Sequence, residues 1–175
     1  MRKGHSVIWS IPILLCGCAI RSSPNSDIRH GVRMQDIEGL YQNTQNENGG
    51  IPLWMHLENV LSKNPRETKG DIVELRITET NRLKASLKHK GEVIKEIWLD
   101  YEMDDDVCEI DGYSWFGSIV VVSGFSNEKA NLYLAENGDL VACNDSFSLG
   151  FVLILPIEPS SNTVINRYKK FPNGL

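Results

Sequence analysis

The sequence has few of the residues and motifs that would assign a biochemical activity. Among 175 residues there are four cysteines and four histidines, and no two histidines stand at the i, i+4 spacing of helical zinc ligands. There is no Gly-x-Ser-x-Gly turn for a nucleophilic serine and no Walker loop for a nucleotide phosphate. We therefore predict no catalytic residue, no metal site and no cofactor, and we expect a protein that is not an enzyme.

Excess positive charge and long apolar runs are also missing. The chain has 18 lysines and arginines against 23 aspartates and glutamates, a net charge of -5, which argues against a nucleic-acid partner. No run of about 18 apolar residues is present, so we predict no ordinary membrane-spanning helix. Hydrophobic residues make up 41% and charged residues 23%, a composition and length that suit one folded domain with its own core.

The first residues have the layout of a secretory signal peptide. Arg2 and Lys3 give a positive start, and an apolar stretch follows over residues 7–15, interrupted by Ser10 and Pro12. This stretch is too short to remain as a helix across a bilayer.

The sequence Leu15-Cys16-Gly17-Cys18 follows that stretch and resembles the lipobox of bacterial lipoproteins. The resemblance implies cleavage between Gly17 and Cys18, removal of residues 1–17, and a diacylglyceryl group on the thiol of Cys18. Lipoproteins of this kind carry three acyl chains, palmitate among them, and two or more chains hold a protein firmly in a membrane. The alternatives are an ordinary cleaved signal or an uncleaved anchor beside a coincidental pair of cysteines.

The residue after the predicted lipid site indicates which membrane is involved. In enterobacterial sorting an aspartate there retains a lipoprotein in the inner membrane, whereas this chain has Ala19. The resemblance thus implies the outer membrane of a Gram-negative cell, with the domain facing the periplasm. Cleavage would leave 16 basic and 23 acidic residues, a net charge of -7, so the lipid and not charge would hold the protein at the membrane. We expect an unidentified envelope protein as a further partner.

The remaining chain divides into a tether, one domain and a short tail. Residues 18–35 contain the run Ser22-Ser23-Pro24-Asn25-Ser26, which is unsuited to a core, and we predict a lipidated, flexible tether. A single β-rich domain is predicted over 36–171, followed by a tail over 172–175.

Apolar periodicity predicts a mainly β fold. Leu53, Leu57 and Leu61 lie on one face of a helix predicted at about 53–62, with Pro52 before it. Elsewhere apolar and polar residues alternate in strands joined by very short turns, which only antiparallel neighbours permit. We predict an antiparallel meander of about eight strands that closes into a small barrel or a strongly curved sheet. The predicted segments include a first strand through Ile37 and Tyr41, strands over 73–78, 83–88, 93–99, 118–123 and 147–157, a hairpin at Asn137-Gly138, and a polar tail from 160.

Two further groups of residues are candidate sites. Cys108 and Cys143 would be the thiols left after lipidation, and in an oxidising compartment they could form a disulfide; the alternative is two separate buried thiols. The acidic stretch 104–111 could collect calcium, but it departs from the EF-hand pattern, and we interpret it as a solvated turn.

A second resemblance concerns the first strand. Gly39-Leu40-Tyr41 is similar to the Gly-x-Trp motif that opens the first strand of lipocalins, with tyrosine in place of tryptophan. The resemblance implies an alternative function, the carriage of a small apolar ligand inside a barrel. That alternative requires an open interior, and the sequence predicts five inward aromatic residues that could fill or line it: Trp54, Trp98, Trp115, Phe116 and Phe151.

Overall fold

The computed structural model describes residues 27–44, 50–62, 69–79, 81–119, 122–152, 155–156 and 159–172. These residues form two helices, α1 (Met34–Ile37) and α2 (Leu53–Leu61). They also form nine strands: β1 (Gly39–Gln42), β2 (Ile72–Glu79), β3 (Arg82–His89), β4 (Glu92–Asp104), β5 (Val107–Ile119), β6 (Val122–Leu134), β7 (Leu140–Val152), β8 (Leu155–Pro156) and β9 (Ser160–Tyr168).

The strands make one antiparallel sheet in the order in which they occur along the chain. The order is β1 to β8, and β9 pairs with β7 beside β8. From β2 to β7 neighbouring strands are joined by short turns, as expected for antiparallel pairs, whereas the connection from β1 to β2 contains α2. The prediction of a mainly β fold, with a strongly curved antiparallel sheet and one short helix, is confirmed. The second helix, α1, has only four residues.

The sheet curls until its first strand meets the segment after its last strand. The backbone N–H of Gln42 donates to the carbonyl of Lys169 at 2.9 Å, and the N–H of Phe171 donates to the carbonyl of Leu40 at 2.8 Å. The side chain of Lys170 passes directly over Gly39, and the absence of a side chain on Gly39 leaves room for it. Gly39 has a φ of 152°, a conformation that favours glycine. A methyl group on Gly39 would lie 2.5 Å from the side chain of Lys170. The curl therefore brings the two ends of the domain together.

Helix α2 lies in the hollow of the curled sheet. Leu53, Trp54 and Leu57 are fully buried there, and the helix packs against β5, β6 and β7. Pro52 precedes the helix and cannot cap it with a side chain; instead Oδ1 of Asn43, just after β1, accepts the N–H of Trp54 at 2.8 Å. The predicted helix at about 53–62 is confirmed, and Asn43 links its start to the sheet.

The hairpin predicted at Asn137-Gly138 is also confirmed. Leu134 pairs with Leu140 across the turn, and Gly138 has a φ of 86°. The N–H of Asp139 donates to Oδ1 of Asn137 at 3.0 Å, an Asx-type turn. The turn therefore sets the register of β6 and β7 from local residues.

Four segments differ from the sequence prediction. The single strand predicted over 147–157 is instead the end of β7 and the short strand β8, which turns back so that Val152 pairs with Leu155. Ile37 ends helix α1 instead of belonging to the first strand. Residues 118–123 are not one strand, because Ser118 pairs with Ser123 as β5 and β6 turn back on each other. A continuous apolar run cannot distinguish one buried strand from the two arms of an apolar hairpin. The polar segment from 160 is strand β9: residues 160–163 are exposed, and inward side chains follow at Val164, Asn166 and the fully buried Tyr168.

Strands β5, β6 and β7 are thirteen residues long and extend well beyond the helix. We use the name distal arm for residues 114–119, 122–127 and 146–152, which pair in register across these three strands. The rest of the sheet surrounds α2, so the fold consists of a packed body and this projecting part.

Candidate functional site

The predicted cleavage and lipid site, Gly17 and Cys18, lies outside the described residues. The first described residues, predicted to be part of the tether, are instead docked on the sheet. Ile28 forms a β-bridge with Ala135, and the N–H of Arg29 donates to the carbonyl of Leu134 at 2.8 Å. The docked segment therefore begins at residue 27, before the predicted domain boundary at 36.

The acidic turn between β4 and β5 holds this segment in place. One carboxylate oxygen of Asp106 accepts the backbone N–H groups of Gly31 at 2.6 Å and Val32 at 3.1 Å. The other oxygen contacts Nδ1 of His30 at 2.8 Å. The contact with His30, followed by the two backbone N–H groups, keeps the pKa of Asp106 below its usual value. The turn was predicted to be merely solvated, whereas it ties the N-terminal segment to the body.

Cys108 and Cys143 are free and buried. Cys108 lies on β5 and faces the helix side of the sheet, where it joins the main core. Cys143 lies on β7, with β6 between the two strands, and belongs to a smaller cluster with Val107, Tyr133 and Val141. Strands two positions apart are about 9.6 Å apart, beyond the reach of a disulfide. The structure therefore contains two separate thiols and not the predicted disulfide.

Burial also makes these thiols poor nucleophiles. It raises the pKa of Cys108 to about 12 and, with the carboxylate of Asp145 nearby, that of Cys143 to about 12. Because the thiolate is the reactive form, both thiols are chemically inert at neutral pH.

The most connected polar group in the body is His56, on the buried face of α2. Its side chain is fully buried, with Nδ1 2.7 Å from Oδ1 of Asn144 and Nε2 2.5 Å from Nδ2 of Asn166. Since the amide oxygen of Asn144 can only accept, Nδ1 carries the proton and Nε2 accepts from Asn166. Asn144 also donates to the carbonyl of His56 at 3.2 Å, and the imidazole packs edge-on against Tyr168 at 5.9 Å.

Burial lowers the pKa of His56, an effect that the hydrogen bond with Asn144 partly opposes. The imidazole is therefore neutral, and both its nitrogens already have protein partners. Such a group ties α2 to β7 and β9 and has no nitrogen available for a substrate.

The five aromatic residues predicted to point inward have different positions. Trp54 is fully buried on α2, and its Nε1 donates to Glu58 at 2.9 Å. Trp98 was predicted wrongly: it is 43% exposed on the outer face of β4, with the guanidinium of Arg82 at 5.2 Å from its ring and Nζ of Lys84 at 5.4 Å. Phe151 lies half-buried on the distal arm, and the side chains of Trp115 and Phe116 are outside the described part. Helix α2 and its large side chains occupy the hollow that a lipocalin-like carrier would need to keep open.

A polar cleft lies where β4 leaves β3 and turns toward β5. It is open to solvent and has a volume of about 450 Å³, with five carboxylates and one arginine among its lining residues: Glu79, Asn81, Arg82, Asp100, Tyr101, Glu102, Glu109 and Asp111. Lys129 lies 3.3 Å from Asp111 and offsets part of this charge. The cleft is unsuited to an apolar ligand because its lining is charged.

Neither a metal site nor a membrane-spanning helix is found in residues 27–172 outside the gaps given above. Within them, no three His, Cys, Asp or Glu side chains converge on a point where they could hold a metal ion. Nor do these ranges contain a helix of the length and apolarity that a bilayer crossing requires.

The contacts of His56 were not predicted from the sequence. A partial signal was present on β9, where Asn166 lies between Val164 and the buried Tyr168 on the inward face, whereas Asn144 has Asp145 and Ser146 beside it and gave none. A buried amide needs a partner, and the helix facing both strands offered one histidine.

Comparison of the chain with protein-family models, with curated proteins and with solved structures finds no match.

Proposed function

We propose that this chain is a bacterial lipoprotein, anchored in the cell envelope by lipid on Cys18, with a non-enzymatic binding or structural role. One observation carries the proposal: a basic start, an apolar stretch and Leu15-Cys16-Gly17-Cys18 follow one another in the order and spacing of a lipoprotein signal. Three acyl chains on one residue would anchor the domain without any help from its acidic surface.

The position of the docked N-terminal segment supports this arrangement. Nine residues, 18–26, would join the membrane to Asp27, and a chain of that length reaches at most about 30 Å. Arg167 on β9 pairs with Asp27 at 2.5 Å, and the neighbouring backbone is bonded to the end of β6. The lipid would therefore hold the domain within about 30 Å of the membrane surface. The tether would be attached to the sheet through the contacts of Asp27 with β9 and with the turn that follows β6.

The chemistry of the body favours binding or structure over catalysis. Its buried imidazole is used to hold α2, and its two buried thiols stay protonated. The polar network thus stabilises the domain, which would present its outer surfaces to an envelope partner.

Two variants at neighbouring cysteines test the lipid assignment. In a Gram-negative host supplied with labelled palmitate, the unaltered chain and Cys16→Ser should both be labelled and sediment with membranes. Cys18→Ser should lose the label, because serine has no thiol to receive the diacylglyceryl group. Labelling of Cys18→Ser equal to that of the unaltered chain would refute the proposal.

The outer-membrane location has its own test. Ala19→Asp should move the protein to the inner-membrane fraction on a density gradient, whereas the control Ala19→Ser should remain in the outer-membrane fraction. Equal distribution of the two variants would contradict the proposed sorting.

A further inference from the structure

Strand β5 has an edge that other described strands leave uncovered. Its first residues pair with β4 only as far as Ile110, which lies opposite Tyr101. Beyond that point, residues 111–119 pair with β6 on one side, and within the described ranges no strand pairs with them on the other. At about 3.3 Å per residue this edge is about 30 Å long.

The opposite side of the distal arm is covered differently. Residues of β9 pair with β7 as far as Ser148, and β8 pairs with it at Phe151 and Val152. The arm therefore has one covered edge and one open edge.

The open edge has few of the usual protections against pairing. Natural edges carry lysine, proline or a strong bulge that prevents another strand from adding. Residues 112–127 and 146–157 contain no charged residue, although the whole chain is 23% charged. The register irregularity between Asp111 and Ser114 lies at the start of the edge and leaves 114–119 in regular pairing with β6.

One face of the arm is apolar and exposed as well. Phe125 on β6 is 38% exposed and lies opposite Leu149 on β7. Phe147, two residues before Leu149 on β7 and therefore on the same face, is 43% exposed. Contiguous exposed apolar surface marks interaction sites on proteins, and these neighbouring aromatic side chains place such surface on the arm.

A lipid bilayer is a poor occupant for this arm. In hydrocarbon every backbone N–H and C=O must be paired within the protein, and an open strand edge leaves several unpaired at a cost of several kcal/mol each. A second β-strand satisfies these groups and places its own side chains beside the apolar face.

We propose that the distal arms of two copies of this chain pair edge to edge, β5 against β5, in a two-fold dimer with a continuous antiparallel sheet. A strand and its own copy related by a two-fold axis are antiparallel, so the edge is complementary to itself. Apart from Asp111 at its start, which pairs with Lys129 of the same chain, the edge is uncharged and offers nothing that a charged partner would recognise. Interfaces between identical copies are the more apolar ones.

The position of the N-terminus agrees with this geometry. Residue 27 is bonded next to the end of β6 at Glu136, the end opposite the arm tip near Val122. In the dimer the two arms overlap and the two bodies lie at opposite ends. With the strands parallel to the membrane, both tethers leave at the same height, so both copies can be anchored in one leaflet.

The size of the edge sets the strength of the contact. One strand pair buries less than the roughly 1,600 Å² of a standard interface, so association in solution is weak. Confinement in a membrane through Cys18 would raise the local concentration and favour the pairing. This second effect rests on the proposed lipid anchor, but the pairing itself does not.

The test uses the full chain with Cys18→Ser, which carries no lipid on that residue, so its result does not depend on the anchor. Sedimentation velocity from roughly 1 µM to roughly 500 µM should show a monomer–dimer equilibrium, the range suited to an interface of this size. Hydrogen exchange should slow with concentration in peptides covering 111–119 and not in peptides covering β9.

Matched lysine substitutions locate the contact. Ser114→Lys places like charges across the two-fold axis and should weaken the dimer about tenfold or more. Ser161→Lys places the same charge at an exposed position on β9, at the other side of the arm, and should leave the dimer within about twofold.

Three results would overturn the proposal. The first is a monomer at every concentration. The others are a dimer in which the amides protected from hydrogen exchange lie outside 111–119, and a Ser114→Lys variant that dimerises as strongly as the parent. If the amides of 111–119 are protected from hydrogen exchange only when vesicles of phosphatidylethanolamine and phosphatidylglycerol are present, the edge binds lipid and the proposal is wrong. If Ser114→Lys does not fold, the exchange measurement on the parent chain still decides between these results.

Discussion

The buried histidine predicts how the stability of the domain depends on pH. His56 is neutral in the folded state because burial lowers its pKa below the ordinary value of 6.5. In the unfolded chain the same imidazole is in water and binds a proton as the pH falls through that value. The unfolded state therefore binds more protons below pH 6.5, and the free energy of unfolding falls with the pH.

The size of this effect follows from linkage. One proton changes the free energy of unfolding by at most about 1.4 kcal/mol per pH unit. With an unfolded pKa of 6.5 and a folded imidazole that stays neutral, acidification from pH 7.5 to 5.5 removes at most about 1.4 kcal/mol. For a domain of this size the loss corresponds to a decrease in Tm of about 3–6 °C.

The assay is urea unfolding followed by tryptophan fluorescence, since Trp54 is two residues from His56 on α2 and fully buried. His56→Gln should be less stable than the parent by about 1–3 kcal/mol at pH 7.5, because the glutamine amide has a donor and an acceptor but cannot place both where the two ring nitrogens lie. Its stability should nevertheless change little between pH 7.5 and 5.5.

His89→Gln is the matched control. This histidine lies near Asp71 at the β3–β4 turn with its side chain 43% exposed, so its replacement should leave the free energy of unfolding at pH 7.5 close to that of the parent. A parent domain with constant stability over this range, or a His56→Gln variant that retains the full slope, would show that His56 is not the responsible group.

Two further predictions concern packing and docking. Asp106→Ala removes the acceptor of the N–H groups of Gly31 and Val32, so trypsin should cleave at Arg29 several-fold faster, whereas Asp106→Asn keeps one acceptor oxygen and should be cleaved at nearly the parental rate. Equal rates for the two variants would contradict this role. Gly112→Ala places a methyl group 2.2 Å from the carbonyl oxygen of Glu128, and we expect a loss of about 1–3 kcal/mol by urea unfolding. A fully stable Gly112→Ala variant would mean that the approach of β5 to β6 is looser than the structure shows.

Local patterns were sufficient for much of the fold. Alternation over 73–78 and 83–88 predicted strands that the structure contains, and the spacing of Leu53 and Leu57 predicted α2. The Asn137-Gly138 turn set a hairpin register without any distant contact. These features depend on neighbours in the chain, which is why they can be read from it.

The segments that were predicted wrongly share one cause: their structure depends on contacts with residues distant in the chain. Residues 118–123 were predicted as one strand because apolar content does not show where a chain reverses. The polar strand β9 was missed because only pairing with β7 makes it a strand. Trp98 was placed inside because its exposure depends on which face of β4 turns toward α2.

By itself, the sequence determined the antiparallel character of the sheet and the helix that fills it, and it contains the lipobox-like pattern on which the proposed lipid anchor rests. Each of these depends on residues a few positions apart. Tertiary structure decided that Cys108 and Cys143 lie too far apart to bond, that His56 meets Asn144 and Asn166, and that part of β5 has an open edge. These depend on strand register and sheet curvature, which bring together residues far apart in the chain, and no local pattern contains that information.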